Sequence, residues 1–141
     1  MSYSTVDPVL KAKIKNLTFE YLDRPQPELL ITVPNPHPDI EYEEKLVYPE
    51  FTSLCPLAIS QPDYATITIE YTPSETIIEL KSIKSYFVAY RNVSIFHEAV
   101  VGQILKDLSS ACNPKWMKVS GEFTVRGGIY TTITAEYRRL S

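Results

Sequence analysis

Four short stretches of the chain hold residue types that could do chemistry together. The first is Phe51-Thr52-Ser53-Leu54-Cys55-Pro56, followed eight residues after Cys55 by Asp63 in Gln61-Pro62-Asp63-Tyr64. A cysteine held toward a cleft by proline-bounded segments becomes a nucleophile when its thiolate is stabilised. A carboxyl placed beside it by a Pro-led turn is a general acid. Taken singly, the ordinary readings are a small buried hydrophobe for Cys55 and a turn cap for Asp63.

His97-Glu98 opens a helical stretch, where an acidic residue is at home because of the helix dipole. Together the two could also clamp a heterocycle, with Glu98 accepting from a ring N–H and an exocyclic amine, as a guanine-like edge requires. In Glu79-Leu80-Lys81-Ser82-Ile83-Lys84-Ser85-Tyr86-Phe87, Lys81 and Lys84 with Ser82 and Ser85 lie near a helix start and form either a small phosphate site or a solvated basic edge. Arg126-Gly127-Gly128 is a turn, with Arg126 a candidate phosphate ligand. No Gly-x-Gly-x-x-Gly is present, so a dinucleotide would not be held in the Rossmann manner. His37 and His97 are the only histidines, and no cluster offers three metal ligands at usable spacing.

Composition narrows the class. At 141 residues the chain fits one domain, small enough for a deep site to need neighbouring subunits. Its net charge of -3 argues against a protein that lives on phosphate backbones, so no nucleic-acid partner is expected. The start of the chain lacks a basic segment followed by an apolar run, and no stretch approaches the roughly 20 apolar residues that span a bilayer. Cys55 and Cys112 are too few for a disulfide scaffold. The expectation is a cytoplasmic protein with free thiols and no membrane partner.

The elements that must position these residues differ along the chain. Nine of the 11 prolines lie between Pro25 and Pro73, so that third reads as extended segments and turns. Short strands are expected at Leu29–Val33 and Leu17–Tyr21, while Glu41, Glu43, Glu44 and Lys45 read as a solvated charge run. Residues 1–48 are taken as an extended, Pro-rich segment of the same domain. From Tyr64 the period-two alternation of Ala65, Ile67, Ile69 and Tyr71 predicts a half-buried strand, with Thr76–Glu79 continuing in β-rich residues. Met117, Val119, Gly121, Phe123 and Val125 alternate likewise, and after Gly127-Gly128 so do Ile129, Thr131, Ile133, Ala135 and Tyr137, which predicts a hairpin. Between them, Ile83, Tyr86, Phe87 and Tyr90 mark one helix over Lys81–Tyr90. Val101, Ile104, Leu105 and Leu108 mark another, from an N-cap at Ser94 to Ala111. The order predicts an α+β fold, an antiparallel sheet with two helices on one face between two strand pairs.

The combination and order of these motifs resemble the single-domain 7-cyano-7-deazaguanine reductases of the queuosine pathway, from about Pro49 to Tyr137. The likeness rests on Glu79–Tyr86, Phe96-His97-Glu98, the Cys55 and Asp63 segments, and Phe123-Thr124-Val125-Arg126-Gly127-Gly128-Ile129. The family's commoner Cys-to-Asp spacing is one residue shorter and carries a glycine where this chain has Leu57-Ala58-Ile59-Ser60. The resemblance implies a tunnelling fold (T-fold) in a ring-based homo-oligomer, two stacked pentamers being one such assembly, with active sites between subunits. It further implies reduction of a nitrile to an aminomethyl group by two NADPH through a thioimide on Cys55, without metal. By the same carry-over Asp63 and His97 serve proton transfer, and Ile78, Glu79, Leu80, His97 and Glu98 hold the deazaguanine. Lys81, Lys84 and Arg126 hold cofactor phosphates.

Three other readings remain at this point. An amidine-forming relative would use the same thioimide on tRNA, but should lack the lysines and carry a basic surface. A metal-dependent cyclohydrolase of the same fold lacks its ligands here. A non-catalytic binding protein would keep the fold and leave Cys55 and Asp63 idle.

Overall fold

The strand with the clearest alternation, β3 (Pro62–Thr72), is an inner strand of the main sheet. In this computed structural model, which describes residues 6–57 and 61–140, Ala65, Ile67, Ile69 and Tyr71 point one way and are buried. On one side β3 pairs antiparallel with β2 (Glu44–Leu54), and on the other with β5 (Trp116–Arg126). β6 (Ile129–Arg138) completes the order β2-β3-β5-β6. The expected C-terminal hairpin is present. Gly127 and Gly128 take φ of 55° and 81°, the two consecutive positive values that a tight hairpin turn requires.

Both helices lie against one face of this sheet. The α2 helix (Leu80–Val88) runs into a 3-10 turn at Ala89–Asn92, and together they bury the expected stripe of Ile83, Tyr86, Phe87 and Tyr90. Phe87 stacks on Tyr48 and meets Phe51 edge-on, tying the helix to β2. The α3 helix (His97–Cys112) covers β5 and β6 with Val100, Val101, Ile104, Leu108 and Cys112, while Leu105 is only partly buried. Each such side chain contributes about 1.5–3 kcal/mol on full burial. Asn113, in the left-handed region at φ 45°, ends α3 just before Pro114. No helix among the described residues is long and apolar enough to cross a membrane.

The N-terminal third departs from expectation. Leu17–Tyr21 is not a strand; the chain there follows a helix, α1 (Pro8–Lys15), whose N-cap Asp7 accepts from the Leu10 N–H at 2.8 Å. The Asp-Pro start was a helix signal, but α1 buries no residue and so shows no apolar stripe. The expected strand at Leu29–Val33 resolves into a 3-10 turn at Pro27–Leu29 and β1 (Thr32–Pro34). β1 pairs with β4 (Thr76–Ile78) in a small separate sheet. The place beside β3 is taken by β2, which begins within the charge run and tolerates Pro49 at a register shift on the sheet's edge. The Tyr71 hydroxyl joins the two sheets, accepting from the Ile78 N–H at 3.1 Å and donating to Glu44 at 2.7 Å.

Two features of the core generate tests. A Cβ at Gly121 would lie 2.8 Å from Val101 Cγ2 and 3.0 Å from Phe123 Cε2, so the missing side chain lets α3 sit close on β5. Gly121→Val is expected to destabilise the protein by about 1–3 kcal/mol, read as a lower urea midpoint with an unchanged slope. Burial pushes the Cys112 thiol up to about 12, so it stays protonated at pH 8. Iodoacetamide at that pH should label half-buried Cys55 and spare Cys112 until the chain is denatured, as peptide mass mapping would show.

Candidate active site

The end of β2 does not stop at its hairpin partner. The Leu54 N–H donates to the Val93 carbonyl at 2.9 Å and the Leu54 carbonyl accepts from the Ile95 N–H at 3.1 Å, an isolated parallel bridge across Ser94. Ser94, expected as a helix N-cap, is spent on this bridge, and α3 starts three residues later at His97 with Phe96 as its cap. The next residue, Cys55, donates its N–H to the Gln61 carbonyl at 3.3 Å. The nucleophile candidate is thus held between the β2–β3 connection and the first turn of α3. Residues 58–60, which include most of the longer connection noted in the sequence, lie outside the described residues.

Asp63 sits inside β3, not in a turn before it, and its side chain is only 6% exposed. Such a carboxylate is costly unless paired. Here the pairing is double: Oδ2 lies 3.2 Å from His97 Nε2 and Oδ1 lies 2.8 Å from an Arg126 nitrogen. The same arginine nitrogen donates to the Pro62 carbonyl. The His97 ring lies flat on Phe123, with centroids 3.8 Å apart and planes 10° apart, which fixes the direction of Nε2. Cys55, Pro56, Asp63, Phe96, His97, Glu98 and Arg126 line one cavity of about 250 Å³. It contains a thiol, a carboxyl–imidazole pair and an exposed carboxylate at the first turn of a helix, the parts needed for nucleophilic addition with proton transfer.

The other expected site residues lie elsewhere. Ile78 is buried in β4, Glu79 caps α2, and Leu80 is exposed. The Glu79 carboxylate accepts from the Lys81 and Ser82 N–H groups, so the free amides expected to greet a phosphate at this helix start are occupied. Ser82 is fully buried, bonded to the Ile31 backbone, and Ser85 bonds the Lys81 carbonyl. The anion site expected there reduces to the ammonium groups of Lys81 and Lys84. Lys81 uses one donor on the Lys15 carbonyl at 3.0 Å. Leu80 and Lys84 border a second cavity of about 400 Å³, walled by Val47, Tyr48 and Phe87, that shares no residue with the first.

Two site residues were not singled out in the sequence. Phe123 was read only as an inward strand residue, and its stacking on His97 depends on how α3 crosses β5. Ser53 lies opposite Asp63 in the β2–β3 register, fully buried, and its hydroxyl has no hydrogen-bond partner among the described residues. Recognising β2 as a strand would have placed it there, on the same face as Phe51.

The family model described as QueF-like protein matches residues 62–141. An NADPH-dependent 7-cyano-7-deazaguanine reductase of Nitrosococcus oceani is 51% identical over 110 residues, covering 78% of this chain and 84% of the relative. A protein of the same description from Chloroherpeton thalassium is 48% identical over 112 residues, covering 79% and 96%. Among solved structures, the apo archaeosine synthase QueF-Like superposes with a TM-score of 0.61 at 23% identity, covering 72% of this chain and 96% of that one, a likeness of fold. The chain belongs to the QueF-like family, among the NADPH-dependent 7-cyano-7-deazaguanine reductases.

Proposed function

We propose that this protein reduces the nitrile of 7-cyano-7-deazaguanine to the aminomethyl group, with NADPH as reductant and Cys55 as nucleophile, in the cytoplasm. The observation that carries the proposal is the single cavity joining Cys55 to the Asp63–His97 pair, in a chain about half identical to such reductases. A nitrile carbon is electrophilic. The Cys55 sulfur adds to it, one C–N π bond opens, and the nitrogen takes the proton carried by the Asp63–His97 pair, giving a thioimide. Glu98, exposed at the cavity rim, accepts from the ring N–H and exocyclic amine of the deazaguanine. When bound, NADPH supplies the two hydrides that bring this carbon to the amine level. Between the two reductions the C–S bond breaks and Cys55 departs as thiolate, leaving an imine; protons from solvent restore the Asp63–His97 pair and accompany the second hydride.

The residues of α2 fit an anionic dinucleotide. Lys81 and Lys84 are exposed, Lys84 at the border of a cavity with mostly apolar walls, and they would meet phosphates as point charges. Ile78, Glu79 and Leu80 then complete the base pocket from a neighbouring copy. One observation supports a shared site: these residues line no part of the Cys55 cavity. The sheet also ends in two long strands, β2 and β6, each with one edge unpaired among the described residues apart from the bridge at the Leu54 end of β2. β6 of one copy can run antiparallel beside β2 of the next, and repetition of that contact closes a ring.

Mixing the protein with the nitrile and NADPH should consume two NADPH per aminomethyl product. Cys55→Ala should abolish both turnover and the covalent adduct seen by intact mass. Asp63→Asn should slow adduct formation about 10²–10⁴-fold. An adduct that only ammonia releases, without NADPH oxidation, would sink the reductase reading in favour of amidine formation. Sedimentation should show the active species as a ring-sized oligomer, and an active monomer would remove the shared site.

A further inference from the structure

Helix α1 stands outside the core. It buries no residue, Leu10 and Ile14 being half-buried, and it carries Lys11, Lys13 and Lys15 with no acidic residue from Pro8 to Lys15. A hydrogen bond joins its last residue to α2: the Lys81 ammonium donates to the Lys15 carbonyl at 3.0 Å. Lysines in a last turn are ordinary, since they complement the negative end of the helix dipole. A further cation brought to the same end from 66 residues along the chain is not. Lys84 follows Lys81 about one turn later on α2, and both are exposed. Among the described residues none of these five lysines makes an ion pair. Glu79, the acid adjacent in sequence, is occupied by the Lys81 and Ser82 N–H groups, and Asp7 by the Leu10 N–H. Unpaired charges of one sign gathered in one place repel each other, and their summed field attracts an anion.

We infer that Lys11 and Lys15 of α1 bind the 2′-phosphate of NADPH, extending the Lys81–Lys84 pair; this rests on the reading of α2 as the site of the cofactor phosphates. Lys84 borders the apolar-walled cavity and Lys81 reaches toward α1, so α1 stands at the far end of the row. The pyrophosphate lies mid-cofactor and suits the two lysines of α2. Beyond it comes the ribose 2′-phosphate, a monoester with a charge of about -1.5 to -2 at neutral pH, which is held better by additional cations. Lys15 belongs to the residue whose carbonyl holds Lys81, so one phosphate can meet both ammonium groups, and Lys81 keeps two donors for it. Lys11 lies four residues before Lys15 on the same flank of α1, whereas Lys13 lies about 160° round the helix from both.

NADH lacks the 2′-phosphate, so the pair of cofactors separates this contact from the rest of the site. Fluorescence titration of the full-length protein with NADPH and, in parallel, NADH reads binding without turnover. Lys15→Ala should raise the Kd for NADPH about three- to tenfold, and Lys11→Ala with Lys15→Ala about tenfold or more. Affinity for NADH should change less than about twofold in both. Lys15→Arg, which keeps the charge, should restore most of the loss. Lys13→Ala should bind NADPH as the unsubstituted protein does. Because α1 buries nothing, these substitutions leave the core intact. On the unsubstituted protein, NADPH should slow tryptic cleavage after Lys11 and Lys15 more than NADH does at equal occupancy. A double variant that weakens both cofactors alike, or neither, overturns the inference, as does equal protection from trypsin. An NADPH loss in Lys13→Ala equal to that in Lys15→Ala also overturns it, leaving only diffuse attraction. If Lys81→Ala leaves NADPH affinity intact, the cofactor reading of α2 falls, and the inference with it.

Discussion

The site is organised around one buried negative charge. Asp63 sits in an inner strand with almost no access to water, and a lone carboxylate there would cost several kcal/mol. The fold meets that cost from two directions, with an imidazole from the first turn of α3 and a guanidinium from the far end of β5. Those partners come from segments 34 and 63 residues away in the chain, so the charge cannot be satisfied until sheet and helix have docked. The Asp63–His97 pair is therefore assembled by the same contacts that complete the core.

Close packing of α3 on β5 sets the precision of that assembly. Gly121 leaves room for Val101 and for the Phe123 ring, and Phe123 in turn carries the flat stack with His97. A displacement of α3 would move the imidazole relative to Asp63 and move Glu98 with it. The parallel bridge at Leu54 fixes the third side, since it holds the strand that ends at Cys55 to the segment that leads into α3. Cys55, Asp63 and Glu98 are thus held in one frame, although two of them lie at element ends where backbone is usually less constrained.

Much of the α+β order was readable because it rests on local periodicity. The alternation of β3 and the C-terminal hairpin, and the stripes of α2 and α3, repeat at spacings that neighbouring residues alone define. The N-terminal third was not readable in the same way. α1 buries nothing and so leaves no stripe, while β2 carries charges and Pro49 on an edge where alternation matters less. The pairing of Thr76–Ile78 with β1 was equally hidden, because strand pairing across some 40 residues leaves no local trace.

The site divides along the same line. Cys55, Asp63, His97 and Glu98 could be named from residue type, order and family likeness, because reactive side chains are few and their chemistry is intrinsic. Their meeting in one cavity required the bridge at Leu54 and the docking of α3, which are long-range hydrogen bonds and packing. Arg126 shows the limit most clearly: strict alternation directs it away from Asp63, and only a register shift against β6 turns it inward. A bulge depends on how two strands pair, so the sequence determined the reactive groups and the tertiary structure decided which of them face one another.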